Sequence, residues 1–500
     1  MSVGDGDRDR PRTAALPTSR IARTAKVGGF VGSQGLRWAG MRSANAVRSP
    51  ERAAAARSAR TAALVHELVD RLSQMRGAAM KVGQMISLIE LDGLPEDERD
   101  RLQAMLASLR DDVPPLPFNA LEKMLEGELR RPLTQVFAEF EPEAFAAASI
   151  GQVHRARTHD GREVAVKVQY PRIAEAVDTD LRNAMMLVPL LKRLAPGLDA
   201  KALAEEVRER VGAELDYELE AESQRRIERL IGDHPFMKVP RVHSELCTQR
   251  MLVTEYVEGQ RFEAVCAAEA HARNRFAEIV FRFFFGLLYR DGIALGDPHP
   301  GNYLLCPDGK LCFLDFGLLR VVSSDRVAQE VAIARSVRDG DEAQLKQALQ
   351  EGGYLPAERA EDVEPAWALT MMRRATGWYA CPGARSFARA RRRRGREPPA
   401  GIEDAEAIGE LNEDAQQAHR QAHSRRQASQ FTLPPDAVLI RRMHGIVAVV
   451  LGQLRASGDF GAIAAEYLHG SPPSTPLGAA EATHFASERW SAAQATAEGP

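Results

Sequence analysis

The chain has 500 residues, of which 44% are hydrophobic and 27% charged, and its formal net charge at pH 7 is −3. This composition is typical of a globular protein with one large core or two moderate ones. The near-neutral charge argues against wholesale binding of nucleic acid, so charged runs must be judged one by one.

The cysteines indicate a reducing compartment. They form no CxxC pair and no zinc-type spacing with histidine, which argues against a disulfide framework and against a zinc site. The longest apolar runs fall short of a membrane span, so we expect no transmembrane helix. A cytoplasmic protein is the simplest prediction, with packing roles for Cys247, Cys266, Cys306, Cys312 and Cys381.

The first 140 residues divide into two predicted segments. Residues 1–60 are rich in Arg, Ala, Ser and Gly with little apolar periodicity, which predicts a mobile basic segment. Residues 61–140 place apolar side chains at helical spacing, which predicts a helical extension that includes a helix pair over 117–140.

A β-hairpin is predicted next. The stretch "AAASIGQVHRARTHDGREVAVKVQYP", residues 146–171, alternates, turns at "HDG" and alternates again. Helices are expected over 174–231, followed by a strand in "RMLVTEYVEG" and a buried helix in "RFAEIVFRFFFGLLYRDGIA".

The remaining chain is predicted to be mostly helical, with two irregular stretches. Helical patterns cover 325–375 and 433–467, and a polar basic insert separates them near 380–430. Residues 471–500 are rich in Ser, Pro, Thr and Ala, which predicts a disordered tail.

An acidic cluster is predicted around the motif "DPHPGN". Its two prolines and glycine hold Asp297 and Asn302 in a compact turn. Two short strands around a turn at Asp308 would then return Asp315 to the side of Asn302. Asn302 and Asp315 offer hard oxygen ligands for Mg²⁺ that carries nucleotide phosphates, and Asp297 can position or deprotonate an acceptor. Asp308 serves the turn, and His299 is expected to pack within the loop.

Asp-x4-Asn followed by Asp-Phe-Gly is typical of protein-kinase-like enzymes, and the other expected parts lie upstream. In "VAVKV", Lys167 could hold the α and β phosphates of ATP, with Glu220 on a helix to orient it. "TEYVEG" matches a hinge whose backbone at Glu255 and Val257 could bind adenine. The ordered set is far more specific than any one motif.

Two features depart from an ordinary protein kinase. The phosphate-covering loop reads "FAAASIGQV", with all but one glycine replaced, by Ala146, Ala147, Ala148 and Ser149. No Ala-Pro-Glu motif follows Asp315, and the chain passes directly into a helical pattern. The segment on which kinases dock peptide substrates is therefore predicted to be missing.

With these departures, the chain resembles the UbiB-type (aarF) atypical kinase family, which is linked to coenzyme Q biology. The resemblance runs from about residue 60 to about 465. Beside "DPHPGN" and the Ala-rich loop, it rests on "KVGQ" with Lys81 and Gln84, and on "ELD" with Glu214 and Asp216.

The resemblance implies an α+β, two-lobed, protein-kinase-like fold with an added N-terminal helical segment over the cleft. The small lobe with a helical insert is expected over 141–260 and the large lobe over 261–470. Lys81 and Gln84 would point into the site as gating residues, and Glu214 and Asp216 would pair with Lys81. Family members bind ATP or ADP with Mg²⁺, show ATPase activity or self-phosphorylation, and affect isoprenoid quinone synthesis.

Two classes of function stay open at this point. The first is an ATP- and Mg²⁺-dependent kinase or ATPase acting on a small molecule, a lipid or itself. The second is a nucleotide-responsive pseudoenzyme that regulates a partner or carries a lipid or isoprenoid.

The basic run at residues 385–399, with Arg391, Arg392, Arg393 and Arg394, is either a solvated loop or a peripheral contact with anionic membrane. No nucleic-acid partner is expected, because no aromatic residues are interleaved with the arginines.

Overall fold

The computed structural model describes residues 116–387 apart from 149, 176, 180–181, 183–211 and 213–214, residues 423–487 apart from 425, and residue 67. The chain forms two compact units, one of Met1–Val113 with Arg172–Val211, and one of Pro114–Pro171 with Gly212–Pro500. Few residues of the first unit are described, and in it Arg172 pairs with Glu175 at 2.8 Å. All the elements below belong to the second unit.

A small lobe begins this unit and carries an antiparallel sheet. The elements up to the end of this lobe are α1 (Phe118–Leu129), α2 (Leu133–Val136), β1 (Phe137–Phe140), β2 (Ala146–Ala148), β3 (Gly151–Thr158), β4 (Glu163–Gln169), α3 (Tyr217–Ile231), β5 (Met237–Lys238) and β6 (Met251–Glu255). The strand order of the sheet is β1-β3-β4-β6, with β2 added on β3.

The predicted β3–β4 hairpin is confirmed. Seven residue pairs join the strands, from Gly151 opposite Gln169 to Arg157 opposite Glu163. The turn contains Gly161 at φ +85°, a conformation that a side chain would strain. The inward side chains of both strands pack with α1 and α2 in one apolar cluster.

A larger, mainly helical lobe follows. Its elements are β7 (Gln260–Arg261), α4 (Phe262–Cys266), α5 (Ala270–Tyr289), β8 (Ile293–Leu295), β9 (Tyr303–Leu305), β10 (Leu311–Phe313), β11 (Leu319–Val321), α6 (Ser324–Asp339), α7 (Glu342–Glu351), α8 (Pro365–Ala380), β12 (Arg385–Ser386), α9 (Pro435–Gln453), β13 (Ser457–Gly458), α10 (Phe460–His469) and α11 (Pro476–Phe485). The α+β, two-lobed prediction is thereby confirmed, while residues 61–115 of the expected N-terminal helical segment lie outside the described residues, apart from residue 67.

Short strands of the large lobe flank the acidic loops, which are the loops that contain Asp297, Asn302 and Asp315. One sheet has the order β5-β10-β9-β7, in which β5 and β10 run parallel and β9 and β10 form the predicted hairpin. Gly309 turns that hairpin at φ +80°, and Asp308 accepts a hydrogen bond from the Lys310 backbone at 3.0 Å. The turn role predicted for Asp308 is confirmed. β8 pairs with β11 beside this sheet.

Helix α5 is the centre of the large-lobe core. From Phe276 to Leu288 almost every side chain is buried, because the helix is enclosed by the sheet on one side and by other helices elsewhere. Phe283 stacks on Phe313 of β10 at 3.6 Å between ring centroids. The prediction that this Phe-rich run is core is confirmed. Among the described residues, no helix is both long and apolar enough to cross a membrane.

Two sequence expectations are wrong. The segment 117–140 is not a helix pair throughout, because Phe137–Phe140 pairs with β3 as the sheet's first strand. Together with α1 and α2 it packs in the small lobe, which thus begins before the expected residue 141. The predicted disordered tail is also wrong for Pro476–Phe485, which forms α11. There Thr475 caps the helix and Glu481 is buried in ion pairs, which composition alone could not indicate.

Candidate functional site

Lys167 and Glu220 form a close ion pair between a strand and a helix of the small lobe. Strand β4 presents Lys167, whose Nζ lies 2.6 Å and 2.8 Å from the two carboxylate oxygens of Glu220 on α3. The Glu220 side chain is buried, whereas 23% of the Lys167 side chain is exposed. Burial is the largest single influence on the pKa of Lys167 and lowers it, but the charges of Glu220, Tyr217 and Asp315 together with the hydrogen bond to Glu220 outweigh it, so the net pKa is raised. The lysine is therefore held as a cation.

The acidic loops meet where the hairpin prediction placed them. Asn302 Nδ2 donates to Asp315 Oδ2 at 3.4 Å and to the Asp297 carbonyl at 3.5 Å. Asp315 Oδ1 accepts from the Gly317 backbone at 2.9 Å, which fixes the orientation of the carboxylate. The side chains of Asp297, Asn302 and Asp315 are all partly exposed, so a ligand can reach them.

The Lys167–Glu220 pair and the loop that carries Asp315 belong to one site. A Cβ placed on Gly317 would lie 3.5 Å from Asp315 Oδ1 and 3.9 Å from Glu220 Oε2. The charge of Asp315 also contributes to the raised pKa of Lys167, after burial and the larger effects of Glu220 and Tyr217. The cation on the small lobe and the carboxylate on the large lobe thus face a common space.

The donor set fits Mg²⁺ bound together with phosphates. Within the described part of the chain, no group of three or more His, Cys, Asp or Glu side chains could hold a metal by itself. Mg²⁺ is commonly held by one or two carboxylates, with the remaining positions filled by water and phosphate oxygens. Asp315 with the neighbouring Asn302 oxygen matches that pattern, and a dedicated all-protein cage does not.

The Ala-rich segment is a strand rather than a free loop. Ala146, Ala147 and Ala148 form β2 and pair with Val153, Gln152 and Gly151 of β3. Ser149 lies outside the described residues. Gly151 is required here, since a Cβ would lie 2.1 Å from the Val168 carbonyl oxygen.

Two buried polar residues on the neighbouring strand β3 were not predicted from the sequence. Gln152 donates to His154 Nε2 at 2.9 Å, and it both donates to and accepts from the backbone of Leu116. His154 Nδ1 lies 2.8 Å from the Glu141 carbonyl. Burial lowers the pKa of His154, so the ring stays neutral and Nδ1 is the donor. The signal available in the sequence was two polar residues on the inward face of an alternating strand.

The predicted hinge follows β6. Glu255 lies opposite Val164 of β4, and its carboxylate pairs with Lys238 at 2.6 Å. The backbone N–H of Glu255 donates to the Arg241 carbonyl at 2.8 Å. Val257 follows outside any helix or strand and is partly exposed.

The remaining predicted residues fall into three groups. His299 Nδ1 accepts a hydrogen bond from the Gly301 backbone at 3.1 Å, consistent with a role within the loop. Asp216 caps α3 by accepting from the Glu218 backbone at 3.0 Å. The others lie outside the described residues, namely Lys81, Gln84, Glu214 and the arginines Arg391, Arg392, Arg393 and Arg394.

The connection after Asp315 is short. Gly317 is followed by β11, which pairs with β8, and α6 begins at Ser324 with Ser323 as its cap. Between the acidic loop and this helix, the described chain has no room for an extended segment that could hold a peptide.

Comparison with known proteins gives a consistent result. Residues 108–349 match the family model described as the ABC1 atypical kinase-like domain. The chain is 31% identical over 349 residues to the mitochondrial atypical kinase COQ8B of Rattus norvegicus, covering 69% of this chain and 65% of that protein. It is 32% identical over 268 residues to the AarF domain-containing protein kinase 1 of Xenopus laevis, covering 52% and 50%. The chain thus spans between one half and two thirds of these relatives.

A solved structure is also similar. It is the structure of Rv3197 from Mycobacterium tuberculosis in complex with erythromycin. The TM-score is 0.56 with 28% sequence identity, over 79% of this chain and 92% of that one.

Proposed function

Because the chain belongs to the ABC1 family of atypical kinases, the UbiB-type (aarF) proteins linked to coenzyme Q biology, we propose that it is an ATP- and Mg²⁺-dependent kinase or ATPase. The observation that carries the proposal is the single site that joins the Lys167–Glu220 pair to Asn302 and Asp315. A positive charge on one wall and oxygen ligands on the other suit a nucleotide polyphosphate.

Each side chain has a role in this proposal. Lys167, oriented by Glu220, binds the α and β phosphates, and Asn302 with Asp315 would hold Mg²⁺. The metal, when bound, neutralises charge on the phosphate oxygens. Asp297 positions the acceptor and takes its proton. Ala146, Ala147, Ala148 and Ser149 cover the phosphates, and the backbone of Glu255 and Val257 binds adenine.

The acceptor proposed is a small molecule, a lipid or the protein itself. The short connection from Gly317 to Ser324 supports this choice, because it leaves no platform for a peptide. Support of coenzyme Q biosynthesis, with an isoprenoid or lipid ligand, is proposed from the family. A cytoplasmic location with peripheral contact through the basic run at 385–399 is proposed from the sequence.

The test compares two Asp→Asn variants on one hairpin. Asp315→Asn should lose the thermal stabilisation by Mg-ADP and lower ATP turnover about a hundredfold or more, because an amide ligates Mg²⁺ poorly. Asp308→Asn is the matched control, since Asp308 serves only the turn. Thermal-shift titration and single-turnover assays with labelled ATP, with and without lipid vesicles, measure both effects.

The outcomes separate the candidate functions. Equal stabilisation of Asp315→Asn and wild type would remove the metal assignment. Stabilisation of the wild type by Mg-ADP without any phosphate release or transfer would indicate a nucleotide-responsive pseudoenzyme instead.

A further inference from the structure

The last turn of α11 lies on the last turn of α3. His484 Nε2 lies 2.9 Å from the carbonyl oxygen of Ile231, the final residue of α3. The rings of His484 and Phe485 also contact His234, at 4.9 Å and 5.7 Å between centroids. A carbonyl in the last turn of a helix has no donor within that helix. His484 therefore supplies a donor that α3 itself cannot.

Buried ion pairs fix α11 to the large lobe. Arg282 of α5 is fully buried and contacts Glu481 of α11 at 3.0 Å and Glu466 of α10 at 2.8 Å. Arg290 contacts Glu481 at 3.2 Å and lies 3.6 Å from the centroid of the Phe485 ring. Undocking α11 would leave buried charges without partners, which is costly. The helix is thus a firmly held part of the lobe.

Helix α3 connects this contact to the site. Glu220 and Ile231 are eleven residues apart on one uninterrupted helix, which corresponds to about 17 Å. Ile227 and Ile231 pack in the large-lobe core, whereas Glu220 binds Lys167 on the small-lobe strand β4. Because a packed helix moves as a rigid body, a change at its C-terminal end displaces Glu220.

We infer that α11 is a positioning element for the candidate site, in which His484 and Phe485 hold the C-terminal end of α3 and thereby keep Glu220 on Lys167. The consequence for turnover rests on the proposed function, but the coupling of α11 to the Lys167–Glu220 pair can be measured without nucleotide.

The experiment measures how fast an amine-directed acylating reagent modifies Lys167 in the full chain, read by mass spectrometry. His484→Phe keeps an aromatic ring but removes the donor, whereas His484→Gln keeps a donor near the Nε2 position. Loosening of the ion pair lowers the pKa of Lys167, and each unit gives about tenfold more free amine. We expect His484→Phe to raise the rate about three- to tenfold and His484→Gln to stay near wild type.

Two controls separate positioning from general loss of stability. Thr376→Val removes a buried hydrogen bond within α8, away from α3, and should leave Lys167 labelling unchanged at a similar loss of melting temperature. Glu220→Gln should give the maximal rate, and adding His484→Phe to it should have no further effect, because the ion pair through which His484→Phe would act is already lost.

Any of three results would overturn the inference. They are a wild-type rate of Lys167 labelling in His484→Phe, an equal increase of that rate in Thr376→Val, or additive effects of His484→Phe and Glu220→Gln on it. If His484→Phe does not fold, Phe485→Leu tests the adjacent contact with His234, just beyond the end of α3, with the same expected increase. If labelling increases in His484→Phe but the wild type does not bind Mg-ADP, the positioning role stands and the proposed function fails. If labelling does not increase but the wild type binds Mg-ADP, the proposed function stands and the positioning role fails.

Discussion

At Gly151, the backbone of β3 passes so close to β4 that no side chain fits. A Cβ would meet the Val168 carbonyl oxygen at 2.1 Å and the Tyr217 hydroxyl at 3.1 Å. Gly127, in α1, is the opposite case, because nothing lies within 4 Å of its added Cβ. The same substitution should therefore have opposite effects at these two positions.

We predict that Gly151→Ala lowers the free energy of unfolding by about 1–3 kcal/mol, since the strands must separate to admit the methyl group. Gly127→Ala should raise it by about 0.5–1 kcal/mol, because alanine is the better helix former. Urea unfolding of both variants measures the difference. Equal stability of Gly151→Ala and wild type would show that the two strands can move apart freely.

At the scale of the element, α5 illustrates how a buried cation organises several helices. Arg282 contacts Glu278 one turn earlier at 2.7 Å, Glu466 on α10 and Glu481 on α11. Its side chain is completely buried, and the carboxylates around it are nearly so. A buried charge of this kind is tolerated only while its partners remain in place.

We predict that Arg282→Met destabilises the protein by about 3–5 kcal/mol, because it leaves several carboxylates buried without a counter-charge. Arg338→Met is the matched control on α6, where the exposed pair with Asp339 should contribute less than about 1 kcal/mol. Equal losses in the two variants, measured by urea unfolding, would contradict this account of the cluster.

At the scale of the whole molecule, burial of histidines couples stability to pH. In each of five described histidines, burial is the largest cause of a lowered pKa, and for His234 it lowers the pKa to about 2. The five are His154, His234, His243, His444 and His469. The folded protein keeps these rings neutral at a pH where the unfolded chain protonates them.

The direction in which pH changes the free energy of unfolding follows from proton binding. Below the ordinary histidine pKa of about 6.5, the unfolded state binds more protons, so stability falls as pH falls. We predict that the free energy of unfolding is nearly constant above about pH 7 and decreases towards pH 5.5, by up to about 1.4 kcal/mol per pH unit for each histidine that stays neutral. Urea midpoints across this range measure the slope.

His234→Phe should reduce that slope, because it removes one of the groups responsible. A variant with the wild-type slope, whatever its absolute stability, would show that protonation of His234 is not coupled to unfolding.

Local patterns predicted the elements that depend on neighbours in the chain. The β3–β4 hairpin, the hairpin around Asp308 and the buried helix α5 were all predicted, since alternation, turn residues and apolar runs report on local structure. The strand at residues 137–140 and the helix at residues 476–485 were not predicted. Their structure depends on β3 and on Arg282, which lie far away in the sequence.

The chemical groups of the candidate site and the pairing of Glu220 with Lys167 were predicted from the identities, order and spacing of the motif residues, because Lys167, Glu220, Asn302 and Asp315 match one ordered set. The tertiary structure added contacts that no local pattern indicated, such as the hydrogen bonds that satisfy Gln152 and His154 inside the small lobe. It also decided that His484 reaches α3 across more than 250 positions. Such pairs form because two packed elements bring the side chains together, and a pattern of spacing along one chain carries no information on which elements pack.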